Sequence, residues 1–285
     1  MLSAISILAL VALGLAIVFG MMDIVNLAHG EFVTIGAFTL ALLQRYAGTN
    51  SFWLALGVAP LIGAVAGLIL ERTVIRFLYR RTLDTLLATY AVSLIVQKLL
   101  EMTMGKHPQL VSSPLPNTID IVGVPYPAYR LLTIAIAVIV VSTCLLVLTR
   151  TRFGADLRAV IQNRQMAEAV GINATRMNQI AFAGGAGLAA LAGVLIAPYA
   201  SVVAQMGVQF LTKAFLVVVV GGIGSVIGCI VGSSLVASSE TLLNYFVDPS
   251  MASAIVLILA IVLVRFCPRG LVAGFGAGRS LAGKS

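Results

Sequence analysis

The chain has 285 residues, of which 60% are hydrophobic and only 10% are charged, and its mean hydropathy is +1.07. Soluble domains carry about 25% charged residues, so this composition excludes an ordinary soluble protein and indicates an integral membrane protein. The net charge of +8 does not point to nucleic acid, because the cationic residues are spread over short connections and form no single patch.

Eight apolar segments of about 19 residues or more are predicted to enter a membrane. They cover residues 2–20, 24–43, 52–71, 84–104, 131–149, 178–197, 213–240 and 250–267. The first segment has neither a basic start nor a small-residue cleavage site, so we expect a span and not a removed signal peptide. The pattern predicts an all-α integral membrane protein, with one transmembrane domain over residues 1–285.

Arginine-rich connections predict the orientation of these segments. The cationic residues of three stretches are Arg72, Arg76, Arg80 and Arg81; Arg150, Arg152, Arg158, Arg164 and Arg176; and Arg265, Arg269, Arg279 and Lys284. Cytoplasmic loops carry such an excess, so all three stretches are expected inside, including a flexible tail at about 271–285. The proline-rich connection at residues 105–130 then faces outward, and we expect it to form an ordered external cap.

The segment at residues 213–240 does not fit a simple crossing. The loop at 150–176 and the tail share a side, so an even number of crossings separates them, yet only three apolar segments lie between. Adjacent glycines in Gly221–Ser225 would cost about 2 kcal/mol relative to alanine inside a helix. We predict a broken or re-entrant segment there; the alternative is one long kinked helix and a miscounted neighbour.

Two stretches of small residues predict close helix packing. Gly224, Gly228 and Gly232 recur every four residues, and residues 181–193 consist largely of alanine and glycine. Such stripes let another helix approach closely, either within the chain or from a second subunit.

Polar residues interrupt the apolar sequence of residues 20–31. They are Asp23, Asn26, His29 and Glu31. A charge at bilayer depth costs about 2.5–3.5 kcal/mol on insertion scales, and such residues usually face a pathway or a partner. The four residues cannot share one helical face, so we expect a helix end or break near Gly20 or Gly30, with Asp23 or Asn26 capping the next helix. The break lines a solute path or helix contact, or it is a solvated turn at the membrane surface.

Several chemistries are not expected. His29 and Glu31 have no second cluster of metal ligands in the sequence, and no Gly-x-Ser-x-Gly element of a serine hydrolase is present. The three dispersed cysteines (Cys144, Cys229 and Cys267) are interpreted as small apolar side chains. Gly278–Ser285 matches the letters of a phosphate-binding loop, but a Gly-rich stretch precedes it where that loop needs a strand, so nucleotide binding there is not expected.

The loop at residues 150–176 predicts a short amphipathic helix across the cytoplasmic mouth. Its apolar residues Leu157, Val160, Ile161 and Ala167 fall near one helical face, whereas Arg158, Gln162 and Arg164 fall largely away from it. Gly154 and Gly171 bracket the helix, and Asn173 could cap the next span. The helix either anchors to lipid head groups through its arginines or acts as a lever that docks on a soluble partner.

Taken together, four motifs resemble the permeases of branched-chain amino acid ABC transporters. They are Asn26-Leu-Ala-His-Gly-Glu31 after Gly20; the loop pattern of Gly154, Arg158, Ala159, Asn163, Ala167, Gly171 and Ile172; the Gly-rich run Gly221–Ser225 with Gly228 and Gly232; and Arg265 followed by Pro268-Arg-Gly-Leu271. The match follows the expected order over nearly the whole chain. Permeases for urea and short amides carry almost the same signatures.

The resemblance implies a multi-pass permease of the bacterial inner membrane that works by alternating access. Two homologous or identical permease subunits would form the path, cytoplasmic ATPase subunits holding ATP would dock around Glu168 to Gly171, and an external solute-binding protein would deliver substrate. This chain would then bind lipid but neither nucleic acid, metal nor cofactor, and it would have no catalytic residue.

The resemblance also directs attention to two sets of residues. The substrate-pathway candidates are Asp23, Asn26, His29, Glu31, Gly221, Gly222, Gly224 and Ser225. The ATPase-coupling candidates are Gly154, Arg158, Ala159, Asn163, Ala167, Glu168 and Gly171. An ion-coupled secondary transporter, with Asp23 or Glu31 as the coupling acid, would explain the buried acids equally well but not the amphipathic loop.

Overall fold

The computed structural model describes residues 1–22, 25–79, 81–121, 123–222, 224–266 and 270–271. The elements within them are α1 (Leu2–Met22), α2 (His29–Ala47), α3 (Ser51–Thr73), α4 (Thr82–Met104), β1 (Thr118–Ile121), β2 (Val124–Pro127), α5 (Ala128–Arg150), α6 (Arg152–Gln162), α7 (Arg164–Ala169), α8 (Ala174–Ile196), α9 (Met206–Gly221), α10 (Val226–Leu243) and α11 (Pro249–Phe266). A 3-10 turn, Ile75–Phe77, joins α3 to α4.

Six of these helices, namely α1, α3, α4, α5, α8 and α10, are long and apolar enough to cross a membrane. Helix α9 and the Pro249–Leu263 part of α11 are shorter apolar helices. The all-α, multi-pass prediction is therefore confirmed, and the one small sheet in the described residues is the antiparallel hairpin of β1 and β2.

Helix α8 lies at the centre of the bundle, because its small residues allow α1, α2 and α3 to pack closely against it. A Cβ atom on Gly36 of α2 would overlap the carbonyl group of Ala190, and one on Gly193 would overlap the carbonyl oxygen of Val33. The small-residue stretch at 181–193 is thus used for packing within the chain.

The segment at residues 213–240 is a helical hairpin. Helix α9 ends at Gly221 and α10 begins at Val226, and the intervening Gly222 and Gly224 have φ angles of +107° and +75°. Gly221 packs directly on Gly228, while Lys213 pairs with Glu240, so the two helices are antiparallel. The predicted break is confirmed, and the single kinked helix is wrong.

This hairpin resolves the crossing count. The break divides the predicted segment into α9 and α10, so four described helices, α8 to α11, follow the loop at residues 150–176. Helix α9 also begins earlier than predicted, at Met206, seven residues before the predicted segment. The glycine stripe of α10 also packs within the chain, because a Cβ atom on Gly232 would come within 2.6 Å of the Val217 carbonyl oxygen.

The arginine-rich connections lie at one end of the bundle, here called the cytoplasmic end. Arg164 of α7 lies over the ring of Tyr79, 5.8 Å from its centroid, so the connection after α3 and the loop at residues 150–176 meet. Gly224 and Arg158 line one shared cavity, which places the α9–α10 turn at this end too. Gly270 packs on Gly222, so the chain after α11 returns to the same end, as predicted.

The proline-rich connection lies at the opposite end of the bundle, here called the external end, and it is ordered, as predicted. Gln109 pairs with Val202 in an isolated bridge. The side chain of Gln44, near the end of α2, donates a hydrogen bond of 2.8 Å to the Ser112 carbonyl oxygen. Together with the β1–β2 hairpin, these contacts form the external cap.

Some sequence predictions concern residues outside the described ranges. They are those for Asp23, Arg80, Cys267, Arg269 and the tail after Leu271, which includes Gly278–Ser285. Cys229 is buried, as expected for an apolar filler, and its Sγ lies 3.7 Å from the Ala12 carbonyl oxygen.

Candidate functional site

The chain breaks between α1 and α2, as the polar residues near Gly20 and Gly30 predict. Helix α2 begins at His29, five residues after the predicted start of its segment, and Ala28 occupies the N-cap without a side-chain hydrogen bond. Asn26 Oδ1 accepts a hydrogen bond of 3.0 Å from Ala28 N. Asn26 therefore turns the backbone just before the helix, but it does not occupy the cap position itself.

The start of α2 lies deep in the bundle. His29 Nε2 is 3.4 Å from the carbonyl oxygen of Val11, and Val11 lies eleven residues before the end of α1, which is about 16 Å along the helix. Asn26, His29 and Glu31 are at most 2% exposed. The alternative of a solvated turn at the membrane surface is therefore wrong for these three residues.

Helix α4 supplies three side-chain hydrogen-bond partners for this break. Glu31 Oε1 accepts hydrogen bonds of 2.7 Å from Ser93 Oγ and 2.8 Å from Gln97 Nε2. One turn closer to the cytoplasmic end, Thr89 Oγ1 accepts a bond of 3.2 Å from Leu27 N. The sequence analysis missed these residues, although buried polar side chains recur every four residues from Thr85 to Gln97 and could have revealed the stripe.

Three polar atoms at the break lack a hydrogen-bond partner within the described part of the chain. They are Asn26 Nδ2, His29 Nδ1 and Glu31 Oε2. An unsatisfied buried polar group costs about 1–3 kcal/mol, so native proteins keep few of them without a reason. Their concentration on one short segment distinguishes the break from ordinary helix packing.

The second part of the predicted pathway lies elsewhere. Gly224 packs on Gly20 near the end of α1, nine residues or about 13 Å along the helix from Val11. Ser225 Oγ accepts a hydrogen bond of 3.0 Å from Gly228 N and caps α10. The structure therefore groups Asn26, His29 and Glu31, and it places Gly221, Gly222, Gly224 and Ser225 in a separate turn at the cytoplasmic end.

The cytoplasmic loop contains two helices, where one was predicted. Asn163 ends α6 and caps α7, because its Oδ1 accepts a hydrogen bond of 3.0 Å from Met166 N. Asn173 caps α8 as predicted, with a bond of 2.9 Å from Arg176 N. Gly154 lies inside the first turn of α6 and does not bracket the helix, whereas Gly171, with a φ of +89°, follows α7.

The faces of these helices match the prediction with one exception. Leu157, Val160 and Ala167 are buried, as expected, but Ile161 is 45% exposed. The apolar stripe is also divided, because α6 ends at Gln162 and Ala167 lies on the separate helix α7. Met166 and Val170 add further exposed apolar side chains to this surface.

A polar contact joins the loop to the transmembrane core. Tyr79 donates a hydrogen bond to Glu71 Oε1 at the end of α3, and Glu71 is fully buried. Burial, with the neighbouring Glu71 carboxylate, raises the pKa of Tyr79, so its hydroxyl remains a donor at neutral pH. Arg164 of α7 lies over the Tyr79 ring, so α7 contacts the residue that bonds Glu71. Sequence analysis missed Glu71, an acid within an apolar segment.

An ion pair at the other end of the bundle was also missed. Lys213 Nζ lies 2.6 Å from Glu240 Oε1, and Ser253 Oγ of α11 donates to the same oxygen at 3.1 Å. The signal was present, because Lys213 and Glu240 are the two charged residues of the apolar segment 213–240.

Comparisons with known proteins agree with this architecture. Residues 1–264 match the family model of the permease component of branched-chain amino acid transport systems. The high-affinity branched-chain amino acid permease protein LivH of Salmonella typhimurium is 30% identical over 280 residues, covering 93% of this chain and 90% of LivH. BraD of Pseudomonas aeruginosa, a permease protein of the same description, is 27% identical over 279 residues, covering 93% and 91%.

A second kind of permease is also similar. LivM of Salmonella typhimurium is 30% identical in a gapped alignment of 291 positions, which covers 92% of this chain and 67% of LivM. No solved structure matches the chain. The match over residues 1–264 and the similarity to LivH show that the chain belongs to the family of branched-chain amino acid transport permeases.

Proposed function

We propose that this protein is the transmembrane permease subunit of an ATP-driven importer that moves branched-chain or related neutral amino acids across a bacterial inner membrane. The observation that carries the proposal is the family match over residues 1–264. The relatives LivH and BraD are described as permeases of branched-chain amino acid transport systems. The multi-pass helical fold, with a break at membrane depth, suits alternating access.

The proposed partners occupy opposite ends of the bundle. ATPase subunits dock on α6 and α7. These subunits bind the ATP, and this chain binds no cofactor of its own. The exposed Met166 and Val170, at 64% and 71%, favour a protein partner over the lipid-anchor alternative, because head groups would contact the arginines alone. A solute-binding protein delivers substrate to the external cap, and a second permease, of the LivH or LivM kind, completes the path within the lipid.

The proposed coupling acts through named contacts. Gly154, Arg158, Ala159, Asn163, Ala167, Glu168 and Gly171 form or shape the α6–α7 surface. Closure of the ATPases displaces α7, whose Arg164 covers Tyr79, and so bears on the α3 core through Glu71. This is a change of conformation driven by differential binding energy, and it requires no covalent chemistry from this chain.

The proposed substrate path includes both breaks. Asn26, His29 and Glu31 are buried in this conformation, and their unpaired polar atoms support a role in another state of the transport cycle. The turn from Gly221 to Ser225 would line the path towards the cytoplasmic end, where backbone groups at helix ends can contact a polar solute. Asp23 is proposed as a further path residue from the sequence motif alone.

Reconstitution tests the proposal against both alternatives. Proteoliposomes holding the complete importer should accumulate L-leucine in an ATP-dependent manner, even when ionophores dissipate the ion gradients. Uptake of urea without leucine would support the short-amide alternative. Concentrative uptake by this chain alone, driven by an ion gradient, would overturn the proposal in favour of a secondary transporter.

A further inference from the structure

The α9–α10 hairpin carries a charge pair near its external end that the proposed path does not use. Lys213 Nζ and Glu240 Oε1 are 2.6 Å apart, and the two side chains keep 32% and 17% of their surface exposed. Charged side chains in spanning segments almost always face a partner or a water-filled cavity, since hydrocarbon does not solvate them. The exposed side of this pair is therefore expected to face water or substrate.

Two cavities border the pair. A cavity of about 540 Å³ lies between α9, α10 and α11, and its wall includes Leu216, Val236 and Leu257 beside Lys213 and Glu240. A second cavity, of about 350 Å³, reaches from the pair to Arg130 and Tyr199 at the external end. Both volumes fall within the range of about 300–1,000 Å³ that small-molecule sites occupy.

The larger cavity combines two features. One side presents a cation and an anion in contact, and the other presents aliphatic side chains. Ser253 Oγ, which donates to Glu240 Oε1 at 3.1 Å, holds the carboxylate from the α11 side. The arrangement is therefore asymmetric, with Lys213 and Glu240 at distinct positions relative to the apolar wall.

From this arrangement we infer that Lys213 and Glu240 bind the backbone groups of a neutral amino acid in its zwitterionic form. The inference rests on the proposed function and adds to it a substrate site at the external end. The substrate carboxylate pairs with Lys213 and its ammonium group pairs with Glu240, so the direct contact opens. The aliphatic side chain then lies against Leu216, Val236 and Leu257.

The charge balance favours this class of ligand over the short amides. A zwitterion offers a carboxylate to Lys213 and an ammonium group to Glu240. Neither side chain is then left without an opposite charge at low dielectric. Urea or a short amide has no charged group. It would separate Lys213 from Glu240 without offering an opposite charge to either side chain.

The alternative is that the pair only holds α9 against α10. Uptake of L-leucine by the complete importer in proteoliposomes separates the two roles. Lys213→Met and Glu240→Gln should each lower uptake at least tenfold. The control is Lys98→Met, which breaks an ion pair of 2.7 Å with Glu101 on α4 and lines neither cavity; its uptake should equal that of the wild type.

The charge swap Lys213→Glu/Glu240→Lys gives the sharper result. It keeps an ion pair across the hairpin, so a purely structural pair would tolerate it and uptake would return. At a zwitterion site the substrate must reverse its backbone, and its side chain then points away from the apolar wall, so uptake should stay at least tenfold below the wild type.

The outcomes separate this inference from the proposed function. Full uptake by the swap, or uptake by Lys213→Met equal to that of Lys98→Met, overturns the site while the importer function stands. A wild-type importer that hydrolyses ATP but moves no leucine overturns the function and, with it, the site.

Discussion

Gln97 Nε2 donates a hydrogen bond of 2.8 Å to Glu31 Oε1, and this contact ties α4 to the break that precedes α2. The remaining surface of α4 is largely apolar and exposed, with Leu87 at 70% and Leu94 at 42%. The buried side chains of α4 are those of its polar stripe, Thr85, Thr89, Ser93 and Gln97, so this stripe is the part of α4 that faces the core.

Replacing Ser93 with alanine should destabilise the protein by about 0.5–1.5 kcal/mol, because Glu31 Oε1 loses one of its two donors while Gln97 keeps the other. Thermal unfolding in detergent measures the effect. Ser234→Ala is the matched control, since Ser234 is partly exposed and its hydroxyl donates to the backbone of its own helix. Equal melting temperatures for the two variants would contradict the role assigned to Ser93.

Gly36→Ala should disrupt the packing of α2 on α8, because the added methyl group would overlap the Ala190 carbonyl group. Overpacking of this kind costs about 1–3 kcal/mol or more. Gly57→Ala is the control: Gly57 also lies inside a helix, but among the described residues nothing beyond its own helix backbone and chain neighbours lies within 4 Å of the added carbon, so the change should be neutral or stabilising. The yield of folded protein and its melting temperature distinguish the two.

Gly222→Leu should abolish assembly or transport. Gly222 has a φ of +107°, a conformation that is costly for a residue with a side chain, and it packs against Gly270. Size-exclusion chromatography of the complex reports assembly, and proteoliposome uptake reports transport. Normal uptake would mean that the tight turn between α9 and α10 is not required.

Gly171→Leu should uncouple ATP hydrolysis from transport while leaving membrane insertion intact. A matched control is Gly105→Leu at the external end, since the two glycines have φ angles of +89° and +85° and each has open space around it. Backbone strain should therefore be similar in both variants. If the number of ATP molecules hydrolysed per leucine rises equally in both, the coupling role of the loop is lost. Glu168→Trp should uncouple in the same way.

Tyr79→Phe should weaken the connection between α7 and the core, because the Glu71 carboxylate loses its donor. The cost of leaving a buried polar group without this bond is about 1–3 kcal/mol. We expect a lower melting temperature and a lower ratio of transport to ATP hydrolysis. Tyr46→Phe, at a side chain 79% exposed, should change neither, and a Tyr79→Phe variant with wild-type coupling would rule out this connection.

Much of this fold follows from local composition. Apolar segment length located the spans, because a helix must satisfy its own backbone groups in lipid. The α9–α10 break was predicted from the adjacent Gly221 and Gly222 and from the need for an even number of membrane crossings. Asn173 identified the start of α8. Two element boundaries were predicted wrongly. Helix α9 begins at Met206, before the apolar segment 213–240, and Asn163 divides the predicted loop helix into α6 and α7.

The sequence by itself determined which segments enter the membrane, where they break and which family the chain resembles, since these depend on hydropathy, on backbone conformation and on the order of motifs along the chain. Only the tertiary structure decided the partners: Glu31 with Ser93 and Gln97, Glu71 with Tyr79, and Lys213 with Glu240. The physical reason is that a buried polar group is satisfied by whichever helix packs against it, and that choice depends on the shapes of all the helices together.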